Sequence, residues 1–211
     1  LRWMNVIKET TAVWGMWLGL ALALLSLAVL FDHLGPVSRW NFHYAFRRPR
    51  SSWISRGAII VTLLVILRLV LLLPSISGFD SLPWVEGSLT SDILRAMVLL
   101  LALAFMAYSG LVLSSWNAIA FWNTPMLPAL YIGYSFLGGI AALPVIALIV
   151  EGTEGMRALG TDLWPFLLAL LLWNGLFLLL YIYGMSRATL PARESVRRLM
   201  HGALGWSFWI G

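Results

Sequence analysis

Five side chains in this sequence carry hydrogen-bonding groups that could bind a ligand or transfer a proton, and each lies within or beside a long apolar run. They are His33, Arg56, Tyr108, Trp122 and Asn123. Histidine and tyrosine donate hydrogen bonds to a carbonyl oxygen and relay protons to it, and histidine titrates near neutral pH. Tryptophan adds a flat apolar surface with one N–H donor. We expect these groups to act together only if the folded chain brings them to one place.

The composition indicates which kind of element must position them. The chain has 211 residues, of which 61% are apolar and 11% are charged, and its mean hydropathy is +0.88. Soluble domains carry about 25% charged residues. The charges form short clusters between uncharged runs of about 20 residues or more, which is the length that crosses a bilayer core. The sequence therefore predicts an all-α, polytopic bundle of transmembrane helices.

Five complete spans and the start of a sixth are predicted within a single integral membrane domain over residues 1–211. The uncharged stretch 96–150 is too long for one helix, so we place a turn at 116–128, where Asn and Pro residues gather. We expect a fragment of a larger bundle, because the chain begins at Leu1 and stops inside an apolar stretch. The predicted spans are 11–31, 53–74, 92–115, 127–150 and 163–185, with a partial span over 200–211.

Cysteine and histidine are too scarce for several kinds of redox centre. The sequence has no cysteine and three histidines, and each histidine lies in or beside a charged segment. Iron–sulfur clusters are held by cysteine thiolates, so any cluster must lie on a partner. A two-haem anchor needs a pair of inward-facing axial ligands for each haem, so no haem is expected. No metal site is predicted in this chain.

Loop charge alternates along the predicted spans. The loops over 32–52 and 186–199 are basic, the turn over 116–126 is neutral, and the loops over 75–91 and 151–162 are acidic. Loops on one membrane face share a sign if the spans are counted correctly, and these loops do. The positive-inside rule then predicts that the basic face is cytoplasmic. The net charge of +5 has this topological cause, so nucleic acid is not an expected partner.

Five further arginines need separate assignments. Arg39, Arg47, Arg48 and Arg50 gather in the first basic loop, and we assign them to topology, to lipid phosphates or to a partner interface. Arg68 lies inside the second predicted span, about 22 Å along the helix. A long side chain at that position can reach the far interface, so we expect Arg68 to snorkel.

The five hydrogen-bonding residues all lie towards the basic face in this topology. At that depth a lipid-soluble quinone head group can lodge, and each of its carbonyl oxygens needs a donor that also relays a proton. The cluster therefore indicates quinone binding. The same types also have plainer uses, because Tyr and Trp form interfacial belts and a loop histidine is often solvated or caps a helix. No single residue carries the hypothesis.

Three segments of the chain resemble a known family. They read HLGPVSRW at 33–40, RRPRSSWISRGAI at 47–59 and YSGLVLSSWNAIAFWNTPMLPALYIG at 108–133. In this order they resemble the NrfD/PsrC family, the membrane subunits of polysulfide-reductase-type enzymes, to which the DMSO-reductase anchor DmsC is related. The resemblance extends from about Trp14 to the C-terminal GALGWSFWIG.

The resemblance implies a haem-free transmembrane bundle with more helices than this chain holds, in the cytoplasmic (inner) membrane of a prokaryote. Members of the family serve electron transport in anaerobic respiration. They exchange electrons between menaquinone or ubiquinone and a ferredoxin-like four-cluster iron–sulfur subunit, which connects to a molybdopterin (Mo/W) catalytic subunit. A chain of this kind has no redox centre of its own and no turnover when alone.

The resemblance also implies roles for single residues. Tyr108 matches the family tyrosine placed to hydrogen-bond the quinone, and His33 matches the histidine at the quinone end. Arg56 matches an arginine of the same pocket or of the partner interface. Trp122 and Asn123 lie in the matching FWNTP segment. The HLG block departs from the usual family form, because no basic residue stands between its glycine and the following proline.

Two other functions are compatible with the composition. A transporter or channel would need a carboxylate or a broken helix at mid-membrane, whereas Asp32, Asp92 and Asp162 lie at the ends of predicted spans. A purely structural anchor would have the same helices without quinone chemistry. The membrane side of the partner is also open, because the family's quinone end often faces an outer partner while the positive-inside rule places the basic face in the cytoplasm.

Overall fold

The computed structural model describes residues 7–33, 46, 49–50, 52–76, 82, 88–203 and 205–210, with side chains described in these ranges except at 30–33 and 210. Nearly all of this part of the chain is helical. The helices are α1 (Glu9–His33), α2 (Trp53–Leu72), α3 (Leu89–Ser114), α4 (Met126–Arg187), α5 (Leu190–His201) and α6 (Gly205–Ile210). A 3-10 turn, Leu73–Ser75, follows α2.

Four helices within the described ranges, α1 to α4, are long and apolar enough to cross a membrane. Their large apolar side chains are widely exposed, as at Leu22, Leu100 and Leu172, which show 55%, 66% and 66% of their surface. Such exposure costs free energy in water and none against lipid tails. The prediction of an all-α, polytopic membrane protein is confirmed.

α4 is a helical hairpin and not one long helix. A straight helix over its 62 residues would measure about 93 Å, roughly three times the thickness of a bilayer core. Gly152 breaks α4 with φ 80° and ψ −169°, a left-handed conformation that favours glycine. The chain reverses there, since Asn174 packs against Gly133. The two arms, 126–151 and 153–187, are each long enough to cross a bilayer.

The segment 151–162, predicted as an acidic loop between two spans, contains the turn at Gly152 but is otherwise helical in the structure. The segment is rich in Glu, Met, Arg, Ala and Leu, which are all good helix formers. Its charges mark where the chain leaves the apolar layer, and the helix does not end there. Gly152 is the one residue of α4 with non-helical backbone angles, so the reversal of the chain is made there.

The predicted basic loop over 186–199 is also largely helical, since most of it forms α5. Pro191 stands in the first turn of α5. An N–H group in the first turn has no acceptor within the helix, so the N–H that proline lacks costs no hydrogen bond. Ala192 and Val196 are buried along one side of the helix, at 0% and 5% exposure. The four-residue spacing of these two residues is a helical signal that the charge pattern concealed.

The Cα positions group the chain into two compact units, residues 1–105 with 139–164, and residues 106–138 with 165–211. In the first unit α1 packs on α2 through one apolar stripe from each helix. The buried members of this core are Leu20, Ala23, Val61, Val65 and Leu72. Ser52 directly precedes α2, and its hydroxyl accepts a hydrogen bond from the Ser55 N–H and so caps the helix.

Arg68 lies in this contact between α1 and α2. Its guanidinium lies against Gly19, where an added Cβ would come within 3.0 Å of the Arg68 Nη2. The Arg68 Nε is buried and has no hydrogen-bond partner among the described residues. Gly19 lies about 15 Å along α1. The structure therefore differs from the predicted snorkelling, because the missing side chain at Gly19 leaves space for the guanidinium between the helices.

The amino end of α1 is tied to the turn of the α4 hairpin. The Lys8 Nζ lies 3.0 Å from the Glu151 carboxylate, whose side chain is 11% exposed. The Thr10 hydroxyl donates to the same carboxylate at 3.2 Å, and the buried Thr11 hydroxyl donates to it as well. The start of α1 and the Gly152 turn thus lie at the same end of the first unit.

In the second unit both ends of α4 pack against α5. The buried members of this core are Leu127, Leu130, Tyr181, Ile182, Met185, Ala192 and Val196. α3 crosses the first turn of α4 at Gly110, where an added Cβ would lie 2.5 Å from the Cα of Pro128. Glycine alone permits so close an approach of two backbones.

Candidate functional site

An apolar cavity of about 400 Å³ lies in the second unit, where both ends of the α4 hairpin meet α5. This volume is within the range of small-molecule pockets. Aliphatic side chains form just over half of the wall, and phenyl, phenol and indole rings form the rest. The lining residues are Leu113, Phe121, Trp122, Leu127, Leu130, Tyr131, Tyr134, Leu178, Tyr181, Ile182 and Leu199.

α4 supplies the lining from both arms at helical spacing. Leu127, Leu130, Tyr131 and Tyr134 stand at positions i, i+3, i+4 and i+7, and so share one face of the first arm. Residues 178, 181 and 182 repeat the pattern on the second arm. The cavity therefore results from the antiparallel arrangement that Gly152 imposes on α4.

Tyr181 fixes the turn between α3 and α4 to the wall of the cavity. Its hydroxyl donates a 2.6 Å hydrogen bond to the backbone oxygen of Phe121, and the two rings pack edge to face with centroids 5.2 Å apart. Tyr181 is 5% exposed. Its hydroxyl proton is therefore engaged in holding the turn.

Tyr131 and Tyr134 are the more open tyrosines of the wall, with 37% and 46% of their surface exposed. They lie one helical turn apart on the first arm of α4. Phenol hydroxyls both donate and accept hydrogen bonds. The cavity therefore offers two hydroxyls to a polar group of a ligand whose remaining surface is apolar.

Trp122 and Asn123, both predicted to contact quinone, lie in the turn between α3 and α4. Trp122 is half-buried and lines the cavity, and its backbone N–H donates to the Ile119 oxygen at 2.9 Å. Asn123 is exposed, and its Nδ2 donates to the Asn117 Oδ1 at 3.2 Å. The structure brings Trp122 to the cavity, whereas Asn123 is not among the lining residues.

Tyr108 lies about two turns before the end of α3 and is half-buried. It is separated from Gly110, which faces Pro128, by about 200° around the helix. Tyr108 therefore points away from the crossing of α3 and α4, and it is not a lining residue of the cavity. Its contact with quinone stays a prediction.

Arg56 holds the turn that precedes α2. Its Nε donates to the Pro49 oxygen at 2.8 Å and its Nη2 donates to the Arg50 oxygen at 2.8 Å. The guanidinium also lies 4.4 Å from the centre of the Trp53 ring, a cation–π contact. These contacts give Arg56 a local structural role in the first unit. A contact with quinone or a partner stays a prediction.

The remaining predicted residues of the basic loop are only partly described. Arg50 is exposed in the turn before α2, as a topology or interface residue would be. His33 ends α1, but its side chain lies outside the described residues, as do Arg39, Arg47 and Arg48. Of the five predicted quinone-binding residues, Tyr108, Trp122 and Asn123 belong to the second unit, and His33 and Arg56 belong to the first.

The three tyrosines of the cavity were not predicted. The sequence held a signal for two of them, Tyr131 and Tyr134, because they form an i, i+3, i+4, i+7 pattern with Leu127 and Leu130 at the start of a span. A tyrosine near a span end is commonly an interfacial residue, so the pattern alone does not single it out. Among the described residues, no group of three His, Asp or Glu side chains is arranged to hold a metal ion.

Comparison with known proteins gives one consistent family. The chain matches the family described as "Polysulphide reductase, NrfD" over residues 3–211. It is 28% identical over 227 residues to "Protein NrfD" of Escherichia coli (strain K12), an alignment that covers 98% of this chain and 68% of that protein. No solved structure matches the chain. The chain belongs to the NrfD family, whose members are membrane subunits of respiratory oxidoreductases.

Proposed function

We propose that this chain binds quinone and exchanges electrons between the quinone pool and an iron–sulfur partner subunit. The observation that carries the proposal is the cavity of about 400 Å³ in the second unit, whose wall contains Trp122, a residue expected at a quinone site. Its apolar lining with a few hydroxyl and indole groups suits a flat ring bearing two carbonyl oxygens. Family membership supports the same assignment.

The chemistry divides between this chain and its partners. Conversion of a quinone to a quinol takes up two electrons and two protons, and this chain has no cysteine with which to hold a cluster. The electrons therefore pass to or from a ferredoxin-like four-cluster subunit, which serves a molybdopterin (Mo/W) catalytic subunit. Alone, this chain is a non-autonomous subunit without turnover.

The residues of this chain supply hydrogen bonds and protons. We propose that the Trp122 indole N–H and the hydroxyls of Tyr131 and Tyr134, whose side chains line the cavity, donate to the quinone. From the sequence we propose separately that Tyr108 and His33 contact quinone. Histidine is the better proton donor of the two, because it titrates near neutral pH. The apolar wall keeps water from competing for these hydrogen bonds.

We further propose that the protein lies in the cytoplasmic (inner) membrane of a prokaryote as a multi-pass subunit, with menaquinone or ubiquinone as its quinone. The alternation of loop charge supports a fixed orientation in that membrane. We propose that the cluster-bearing partner docks at the first basic loop, since acidic partner surfaces complement its arginines Arg39, Arg47, Arg48 and Arg50.

Quinol-dependent reduction by the purified complex tests the proposal. The variants are Tyr108→Phe, His33→Ala and Tyr134→Phe, with Tyr183→Phe as the matched control because Tyr183 is exposed and absent from the cavity wall. Loss of one hydrogen bond to the quinone costs about 1 kcal/mol, so we expect about a fivefold fall in kcat/KM for each tyrosine variant. Activity with an artificial dye and assembly with the partners should be unchanged.

The outcomes separate three functions. Loss of quinol oxidation with intact dye activity supports quinone binding. If all three variants oxidise quinol like the parent, the aromatic cluster is interfacial packing and the chain is a plain anchor. Substrate or ion flux through vesicles that hold the purified chain would instead indicate a transporter or channel.

A further inference from the structure

The outer side of α5 is a basic surface. It carries Arg193, Arg197, Arg198 and His201, and all four side chains are exposed. Glu194 is the only acidic residue of this helix. The opposite side of α5 is buried in the core of the second unit. We propose that this basic face binds the phosphate groups of anionic phospholipids.

The depth of α5 in the fold places it at the level of lipid head groups. α5 begins at Leu190, and α4 ends at Arg187, so the linker is too short to carry α5 away from the membrane. The buried side of α5 packs with Leu127 and Met185, which lie in the first and last turns of α4. A helix that contacts both ends of a membrane-crossing hairpin lies at the interface itself.

Tryptophans beside α5 support the same depth. The Trp209 Nε1 donates to the Met200 oxygen at 3.2 Å, which ties α6 to the end of α5. Trp206 and Trp209 are 69% and 63% exposed. Tryptophan is enriched at membrane interfaces, where its ring lies among the head groups and its N–H finds a polar partner.

One carboxylate orients two of the arginines. The Arg197 Nε and Nη2 each donate to Glu194 at 2.9 Å, and the Arg198 Nε donates to Glu194 at 3.0 Å. The guanidinium groups keep most of their N–H donors for an outside acceptor. The Nη donors that Glu194 leaves free on each guanidinium can pair with two oxygens of one phosphate, a planar geometry that a lysine ammonium lacks.

An acidic protein surface would also complement these charges, so the two partners must be distinguished. A soluble subunit docks on segments that project beyond the head groups, whereas α5 is held at the ends of the α4 arms. Besides Glu194, the phosphates of the bilayer are therefore the anions available at the level of this face. The expected ligand is the phosphodiester of an anionic phospholipid.

Binding of phosphatidylglycerol to the full-length protein, purified with its partner subunits, tests the proposal. Retained lipid is measured by native mass spectrometry, with phosphatidylcholine as the zwitterionic probe. The main variant is the double substitution Arg197→Gln and Arg198→Gln. Arg157→Gln is the matched control, because Arg157 is an equally exposed arginine beside the Gly152 turn.

Each arginine removed should weaken phosphatidylglycerol binding about fivefold, and the double variant about 25-fold. The control should bind like the parent, and phosphatidylcholine binding should not change. The double substitution Arg197→Lys and Arg198→Lys keeps the charge and loses the forks, so we expect binding between that of the parent and that of the Gln variant.

Unchanged phosphatidylglycerol binding in the Gln variant would overturn the proposal. So would an equal loss in the Arg157→Gln control. If the Gln variant keeps its lipid but releases the partner subunits, the basic face is a docking surface for an acidic protein and the lipid assignment is wrong. Quinol activity in the same samples shows that the variants are folded, independently of where quinone binds.

Discussion

The crossing of α3 and α4 at Gly110 gives a quantitative test of the fold beside the cavity. An alanine Cβ at this position would lie 2.5 Å from the Cα and 2.6 Å from the N of Pro128. Ordinary contacts begin near 3.4 Å, so the two backbones must separate by about 1 Å, which loosens contacts along the whole crossing. Backbone atoms cannot rotate away as the end of a side chain can.

Overpacking of this kind costs about 3 kcal/mol at its upper end. Alanine recovers about 1 kcal/mol, because glycine is the poorer helix former. We therefore expect Gly110→Ala to lower the free energy of unfolding by about 2 kcal/mol, which corresponds to a fall of about 4–8 °C in the unfolding midpoint. Quinol oxidation should fall too, because Leu113 and Leu127 on either side of the crossing line the cavity.

The matched control is Gly184→Ala, because an added Cβ there has no atom within 4 Å. This variant should be more stable than the parent by about 1 kcal/mol. Thermal unfolding of both complexes is followed in one detergent at one scan rate, since such transitions are often irreversible. If Gly110→Ala unfolds at or above the midpoint of the parent, the two backbones do not approach as described and the reasoning is refuted.

Three further predictions concern single side chains. Tyr181→Phe leaves the part-buried Phe121 oxygen without its donor and should cost about 1 kcal/mol in thermal unfolding; an unchanged midpoint would mean that water replaces the hydroxyl. Arg68→Leu should raise the midpoint, because a guanidinium with an unpartnered buried Nε is costly in an apolar contact; a lowered midpoint would reveal an anionic partner. Hydrogen bonds from Arg197, and then from Arg198, lower the pKa of Glu194 from 4.5 to about 2. The lowered pKa means that this contribution to stability is complete above pH 4.5 and is lost as the pH falls through 2. The infrared carboxylate band that Glu194→Gln removes should therefore persist at pH 3.5, and its loss near pH 4.5 would contradict the contacts.

The apolar spans could be predicted from sequence because hydropathy alone decides them. α1, α2 and α3 begin within three residues of the predicted spans. The turn between α3 and α4 was likewise signalled by its Asn and Pro residues. These features depend on local composition, which needs no knowledge of neighbouring helices.

The features that depend on pairs of helices could not be predicted. Hydropathy falls equally at a loop and at a helix that leaves the membrane, so the helical character of 151–162 and of α5 was missed. The position of Arg68 depends on Gly19 of another helix, which no pattern within α2 reveals. The cavity depends on both arms of α4, so its tyrosines resembled ordinary interfacial residues until the hairpin was folded.

The tie between the start of α1 and Glu151 joins residues about 140 positions apart in the chain. During synthesis at about 5–20 residues per second, Thr11 leaves the ribosome roughly 7–28 s before Glu151 does. α1 and α2 can therefore pair in the membrane early, whereas the contacts of the amino end of α1 with Glu151 form only later. The carboxylate arrives with the turn of α4, so the first unit is completed only when its last span enters the bilayer. Lys8, whose side chain is 73% exposed even in the finished ion pair, can stay hydrated in that interval.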